Sequence, residues 1–497
     1  MSQSAYQSLL ERIREISLLG SINSTLHWDQ ETYLPKAGTV YRGDQMAYLS
    51  GRAHRLFTAA EVGEWLAEAA EAGLEPDSTE AVNVRWLKRD YDRATKLPTE
   101  FVEECTRTET IGNEAWAKAR AASDFSIFAP HLKKLVDQAR RRADYLGFEE
   151  SRYDALLDLH EQGATTLAVS TLFDELAPAL TELVAQGASA CESLPVLLPE
   201  GPYPEALQKQ FNAEVASAMG FSFESGRIDT TTHPFCTTLG PHDHRITNRY
   251  ELDDFTSSLY CIMHETGHAL YEMGLPADQY GLPCGSAVSL GVHESQSRLW
   301  ENHIGRTLPF WEHWFHRACE LFPQLKNSTP EKLWQHVNRV KRSFIRVEAD
   351  EVTYDLHIIL RFRLERALIE GDLEVDDLPA AWNQMFEELM GLKVEKDSQG
   401  CLQDIHWSFG GFGYFCTYSL GNINAAQLME SAHAIVPNLE QDLRTGQYGG
   451  MLNWLRENVH QAGMRQLPLD LINRATGAPV SPEAHLRHLA DKVSIFV

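Results

Sequence analysis

The sequence predicts a mainly α-helical protein with one small β-sheet close to its chemistry. Three observations carry that expectation. Long Ala-, Glu-, Leu- and Arg-rich stretches place apolar residues at helical spacing. Good strand candidates are confined to the short region 221–250. The next stretch, 253–274, is again helical in pattern and contains His264-Glu265-Thr266-Gly267-His268.

Residues 1–20 place Leu9, Leu10, Ile13, Ile16 and Leu19 on one helical stripe. Residues 60–95 and 100–147 also read as helix, and the mixed charges of 128–146 as a solvated helix face. The amphipathic stretch 166–188 has Pro178 as an expected kink. Four prolines in 193–204 predict a loop, and 205–219 a further helix. Phe221-Ser222-Phe223-Glu224 alternates like a strand, and 230–250 is β-prone with turn residues between. After 253–274, the Gly- and Pro-rich residues 274–291 lead into helix from 291 to about 390. The Gly- and aromatic-rich residues 400–422 predict loop mixed with helix starts, and the tail returns to helix. No internal repeat or low-complexity linker divides the chain, so residues 1–497 are expected to form one domain, with the proline-rich loop as a subdomain boundary.

A net charge of −26 argues against nucleic acid or an anionic membrane as partner, since both demand a basic face. A substrate carboxylate would need a local arginine or lysine working against that field. No apolar run reaches the roughly 18 residues of a membrane span, and no signal-peptide pattern is expected at residues 1–20. Eight scattered cysteines without a C-x-x-C pair suit a reduced, cytoplasmic chain.

The chemistry starts at His264 and His268. Four residues apart on an α-helix, they differ by about 40° in direction and project from one face, as two imidazoles on a single zinc ion must. Glu265 points too far around to be the third ligand and is placed to act on water. A catalytic zinc keeps three protein ligands and one position for water. A third histidine six residues past the second is excluded, because that position is Gly274. A glutamate on a following helix is the alternative. Glu294, 26 residues beyond His268 across a turn-rich connection, is preferred, with His293 and Glu301 as competitors.

Further motifs extend this pattern. They are His233-Pro234-Phe235; Asp243-His244-Arg245-Ile246-Thr247; His293-Glu294-Ser295-Gln296; Ile345 to Asp350 as I-R-x-x-A-D; and Gly400 to Trp407 as G-x-x-Q-D-x-H-W. With H-E-x-x-H they make six patterns in order over about 175 residues. In these the chain resembles the carboxypeptidase Taq family of metallocarboxypeptidases, and His27-Trp28-Asp29 and the overall length agree. Cys416, where the family pattern has proline, is a departure that loosens the alignment of the adjacent tyrosines.

The resemblance implies a helical zinc-peptidase fold with a long, deep groove, and a homodimer. It implies release of single C-terminal amino acids from peptides with broad tolerance and resistance to proline. An endo-acting or dipeptidyl-releasing zinc oligopeptidase is the alternative. Zinc is the implied metal, with cobalt able to substitute, and Glu294 the implied third ligand beside His264 and His268. Glu265 is then the general base. Arginine binds a terminal carboxylate best, through its planar fork of donors. Arg346 is the first choice and Arg245 the second, with ion pairs to Asp350 and Asp243 as their structural alternatives. His406, Tyr414 and Tyr418 are candidate oxyanion donors, the resemblance favouring His406 and Tyr418. Asp243 and Asp404 are expected to orient ligating histidines or arginines, and His233 to be a groove or loop residue.

Overall fold

The computed structural model describes residues 4–195 and 197–497. It is 70% helical with a single small three-stranded sheet, as the apolar spacing predicted. Most of the expected helices are present. Ala5–Thr32 is capped by Ser4, whose hydroxyl accepts from the Gln7 amide; it buries Leu9 and Ile13. The stretch 60–95 divides into Ala60–Glu71 and Thr79–Lys96, and 100–147 into Thr99–Ala122 and Ala129–Leu146. Helix Thr166–Cys191 carries on through Pro178, and Glu205–Met219 ends on Gly220 in the left-handed region at φ 112°. The expectations for 1–20 and 193–204 include residues 1–3 and 196, which lie outside the described residues.

The sheet differs from expectation in its first part. Phe221–Glu224 is not a strand, because Phe221 is buried beneath Gly226 while Phe223 lies exposed in a turn. Their alternation reflects one anchored ring and one solvated ring. The strands are β1 (Gly226–Thr230), β2 (Cys236–Gly240) and β3 (Asp243–Asn248), in the order β1-β3-β2. β1 runs parallel to β3, with Arg227 opposite Arg245; β2 runs antiparallel to β3, with a register shift between Thr238 and Gly240. Period-two alternation turns His244, Ile246 and Asn248 inward, and Asn248 Nδ2 donates to the Ser258 carbonyl at 2.9 Å. The sheet is thereby fastened to the helix that carries His264 and His268.

That helix is Phe255–Gly274. Asp254 caps it, accepting from the Thr256 amide at 2.8 Å and the Thr256 hydroxyl at 2.6 Å. The helix of Glu294 is Leu290–Arg298, which continues as a π-helical stretch Leu299–Gly305. Its N-terminus is closed twice. Ser289 Oγ accepts from the Val292 amide at 3.1 Å, and the buried Glu161 accepts from the Gly291 amide at 2.9 Å and from Ser289 Oγ at 3.0 Å.

Two apolar cores meet at the site. One gathers residues between 115 and 191 with residues between 340 and 423; the other gathers residues between 198 and 333 with residues between 425 and 475. Helix Cys416–Ile435 belongs to both, giving Leu420 and Ile423 to the first and Ala425 and Leu428 to the second.

Close approach at two glycines sets the distances between the three helices. A Cβ at Gly267 would stand 2.6 Å from the Gln296 carbonyl oxygen and from Ser297 Cα. A Cβ at Gly421 would stand 2.5 Å from Glu294 Cγ. The first contact is with backbone and the second with the root of the Glu294 side chain, so neither can yield cheaply. Gly267→Ala is therefore expected to force the helices of His268 and Glu294 apart, costing about 1–3 kcal/mol and weakening metal binding. Thermal melting with and without added metal measures both effects, and an unchanged metal affinity would contradict the expectation.

Candidate active site

The crossing of these helices puts one nitrogen of His264, one of His268 and one carboxylate oxygen of Glu294 within 4.8 Å of one another. His264 Nε2 lies 3.7 Å, and His268 Nε2 3.5 Å, from the same oxygen, Glu294 Oε2. Both rings thus offer Nε2 to the common point and turn Nδ1 away. Of the three sequence candidates Glu294 faces both Nε2 atoms, whereas His293 and Glu301 face the backs of the two rings.

The three groups are held from behind. His264 Nδ1 is 3.0 Å from Glu301 Oε2, and the other oxygen of Glu301 accepts from Arg306 Nη2 at 3.0 Å. His268 Nδ1 lies 2.5 Å from His293 Nδ1, and His293 Nε2 lies 2.9 Å from Glu272 Oε1. Glu294 Oε1 accepts from Arg298 Nε at 2.6 Å, while Oε2 faces the common point and accepts from Ser297 Oγ at 3.3 Å. The sequence nominated Asp243 and Asp404 to orient histidines or arginines. Both pair with arginines, and the groups behind the two histidines are Glu301 and His293. Arg298 was legible, since an arginine four residues after a glutamate on a helix shares its face.

The electrostatics suit a cation. Burial lowers the His268 pKa to about 4, so its ring stays neutral. Burial also opposes charge on His264, but Glu294 and Glu301 outweigh it and raise the pKa. Glu294 pays a desolvation cost that Arg298 and the two histidines overcome, which keeps it ionised far below the usual carboxylate range. Two imidazoles and one carboxylate oxygen converging on one point form a donor set that fits a divalent metal ion. Glu265, beside them, is pushed up to about 7, first by burial and then by Glu294 against the opposing pull of His264.

A second grouping of possible metal donors, His303, Glu351 and His488, has a different character. Lys492 Nζ contacts the Glu351 carboxylate and donates to Asn338 Oδ1 at 2.8 Å. His488 Nε2 lies 2.6 Å from Glu351 Oε1. A lysine ammonium already balances the carboxylate there, so this is a buried ion cluster.

The other core supplies a second wall. Arg346 donates to Asp404 Oδ1 from Nε at 3.0 Å and from Nη2 at 2.9 Å, and from Nη1 to the Tyr354 hydroxyl at 2.9 Å. Its partner is not Asp350, which instead caps helix Glu351–Glu370 by accepting from the Val352 and Thr353 amides. Asp404 is shared with Arg361, whose Nε donates to Oδ2 at 2.7 Å. The Arg346 guanidinium also lies 5.0 Å from the centre of the Tyr418 ring. Tyr414 is 5.5 Å from Tyr418 and 5.2 Å from His406, ring centre to ring centre. Burial holds His406 neutral, with a pKa of about 4.

Tyr354 and Arg361, which sequence reasoning passed over, complete this wall. The Tyr354 ring lies under the Arg298 guanidinium at 4.6 Å, so an unbroken series Glu294–Arg298–Tyr354–Arg346 links the His264–His268–Glu294 cluster to the Arg346–Asp404 pair. No local pattern marks a tyrosine for that role.

Arg245 is engaged elsewhere. It makes a two-pronged pair with Asp243, at 2.8 and 2.7 Å, and lies 4.5 Å from the centre of the Trp28 ring, which Arg227 covers at 4.9 Å. His233 is exposed in the loop between β1 and β2, outside the donor cluster.

The family model described as carboxypeptidase Taq (M32) metallopeptidase matches residues 8–493. The chain belongs to this family. It is therefore a metallocarboxypeptidase, a hydrolase acting on peptides, and the family's character implies a divalent metal. The thermostable carboxypeptidase 1 of Thermus thermophilus is 41% identical over 502 residues, covering 99% of this chain and 98% of that one. The thermostable carboxypeptidase 1 of Pyrococcus furiosus is 37% identical, covering 98% of each chain. Among solved structures, the M32 carboxypeptidase of Deinococcus radiodurans R1 superposes with a TM-score of 0.96 at 39% identity, covering 99% of each chain. In this carboxypeptidase Taq chain, no helix among the described residues is long and apolar enough to cross a membrane.

Proposed function

We propose that this metallocarboxypeptidase holds zinc on His264, His268 and Glu294 and releases single C-terminal amino acids, with Glu265 as general base. The observation that carries the reading is the convergence of those three donors within 4.8 Å, with Glu265 following His264 on the same helix. A divalent ion bound there supplies Lewis acidity, polarising the scissile carbonyl and making water acidic enough to ionise near neutral pH.

Glu265 takes the proton from the attacking water and passes it to the departing amine. Its buried setting suits both halves of that transfer, because a carboxylate with a raised pKa can both receive and return a proton near pH 7. Tyr418 and His406 are the proposed donors to the developing oxyanion, with Tyr414 beside them.

Arg346 receives the substrate's terminal carboxylate. It is held flat by Asp404 and Tyr354, and its link to Glu294 through Tyr354 and Arg298 keeps anchor and metal donors in a constant relation. Arg245 keeps the second place, since it lies against Trp28 in its own pair with Asp243, outside the Glu294–Arg298–Tyr354–Arg346 series. Broad side-chain tolerance, resistance to proline, substitution of zinc by cobalt and a homodimer rest on the family resemblance. A cytoplasmic location is supported by eight free cysteines.

A timed mass-spectrometric digest of a peptide mixture tests the reading. Ladders shortened by one residue at a time are expected, lost with chelator and restored by zinc. Internal cuts or dipeptide products would replace the exopeptidase reading, and chelator-insensitive hydrolysis would overturn the metal chemistry.

A further inference from the structure

His264 and His268 are supported differently, and the difference has chemical content. Behind His264 stands a carboxylate, Glu301, at 3.0 Å. Behind His268 stands a second imidazole, with Nδ1 facing Nδ1 at 2.5 Å, and only behind that ring is there a carboxylate, Glu272 at 2.9 Å.

Two facing nitrogens at hydrogen-bond distance must share one proton. His268 Nε2 is turned toward Glu294 Oε2 at 3.5 Å, and a nitrogen that ligates a metal carries no proton. A neutral His268 therefore keeps its proton on Nδ1 and donates it to His293. His293 Nδ1 is then the acceptor, so the proton of a neutral His293 sits on Nε2, where Glu272 Oε1 accepts it. One arrangement satisfies every contact: Nδ1–H of His268 to Nδ1 of His293, and Nε2–H of His293 to Glu272.

We propose that His293 and Glu272 form a positioning relay that sets the tautomer and ring orientation of His268 for zinc. This rests on the metal-site reading above. Glu272 sits on the same helix as His268, one turn on, and His293 precedes Glu294, so the relay also ties the two ligand-bearing helices together. The Tyr271 ring packs on His293 at 5.3 Å between ring centres and limits its rotation. The histidine of the H-E-S-Q pattern thus acquires a task distinct from that of its neighbouring glutamate.

Titration of the metal-free full-length protein with zinc against a chromophoric chelator tests the relay without reference to activity. His264→Ala should abolish tight binding; zinc affinity equal to that of the unaltered protein would overturn the metal-site reading itself. With that site established, His293→Leu and Glu272→Leu are expected to weaken zinc binding about 10–100-fold. His293→Gln and Glu272→Gln each keep an acceptor oxygen and are expected to recover most of the loss. Leucine variants within about threefold of the unaltered protein would overturn the relay alone. Glutamine variants as weak as the leucine ones would do the same, because a merely structural role does not distinguish an acceptor from a hydrocarbon. If His293→Leu does not fold, the Glu272 pair gives the same reading.

Discussion

Replacing Glu265 by glutamine is expected to leave the zinc content at that of the unaltered protein and to lower kcat by about 10²–10⁴-fold, the range a positioned general base contributes. The substitution is nearly isosteric at a buried position, so it creates no cavity and adds no bulk. It touches none of the groups that converge on the metal position. Glu294 keeps Arg298, His264 keeps Glu301, and His268 keeps His293. What is removed is the ability to accept a proton, because an amide is not a base near neutral pH. The melting temperature should hold or rise, since burial already disfavours the charged carboxylate at this position. Metal analysis together with steady-state kinetics decides the matter. Turnover within a few-fold of the unaltered enzyme would remove Glu265 from the mechanism, and a loss of metal would make it a structural support.

Arg346→Ala is expected to raise KM for peptides with a free C-terminus by about 10–100-fold, the scale of one or two charge-assisted hydrogen bonds. The change in kcat should be smaller, because the bonds to a terminal carboxylate are made in the ground state as well as in the transition state. The substitution also leaves Asp404 to Arg361 alone and takes a donor from the Tyr354 hydroxyl. A melting curve is therefore part of the measurement, and Arg346→Lys, which keeps the charge but not the fork, should fall between. The unaltered enzyme gives the cleanest control. If C-terminally amidated peptides were hydrolysed as well as free ones, no carboxylate anchor would be at work and Arg346 would be a structural ion pair.

Where sequence reasoning succeeded, the signal was short in range. The helix 253–274 is two residues shorter in the structure because Asp254 caps it, and the Leu290–Arg298 helix lies where a turn-rich connection predicted it. Phe221–Glu224 misled because period-two alternation also arises when one ring is anchored and its neighbour solvated. Asp404 was singled out from its motif, yet its partners Arg346 and Arg361 lie 58 and 43 residues away in sequence. His293 and Glu301 were read as rival ligands, since both carry the right atoms and lie near Glu294. Their actual places follow from the π-helical stretch that carries Glu301 and from the close approach of the His268 and Glu294 helices at Gly267.

Legible in the residues alone were the helix-borne pair His264 and His268, the glutamate that follows the first of them, the exclusion of a third histidine at Gly274, and the mainly helical class. Each depends on the constant pitch of an α-helix or on residue type alone. Long-range packing makes Glu294 Oε2 the oxygen both rings face, backs His268 with an imidazole where His264 is backed by a carboxylate, and lets Tyr354 join Arg298 to Arg346. Those are contacts between segments far apart in the chain. Packing at Gly267 and Gly421 and the meeting of the two apolar cores set their distances, and no local pattern carries that information.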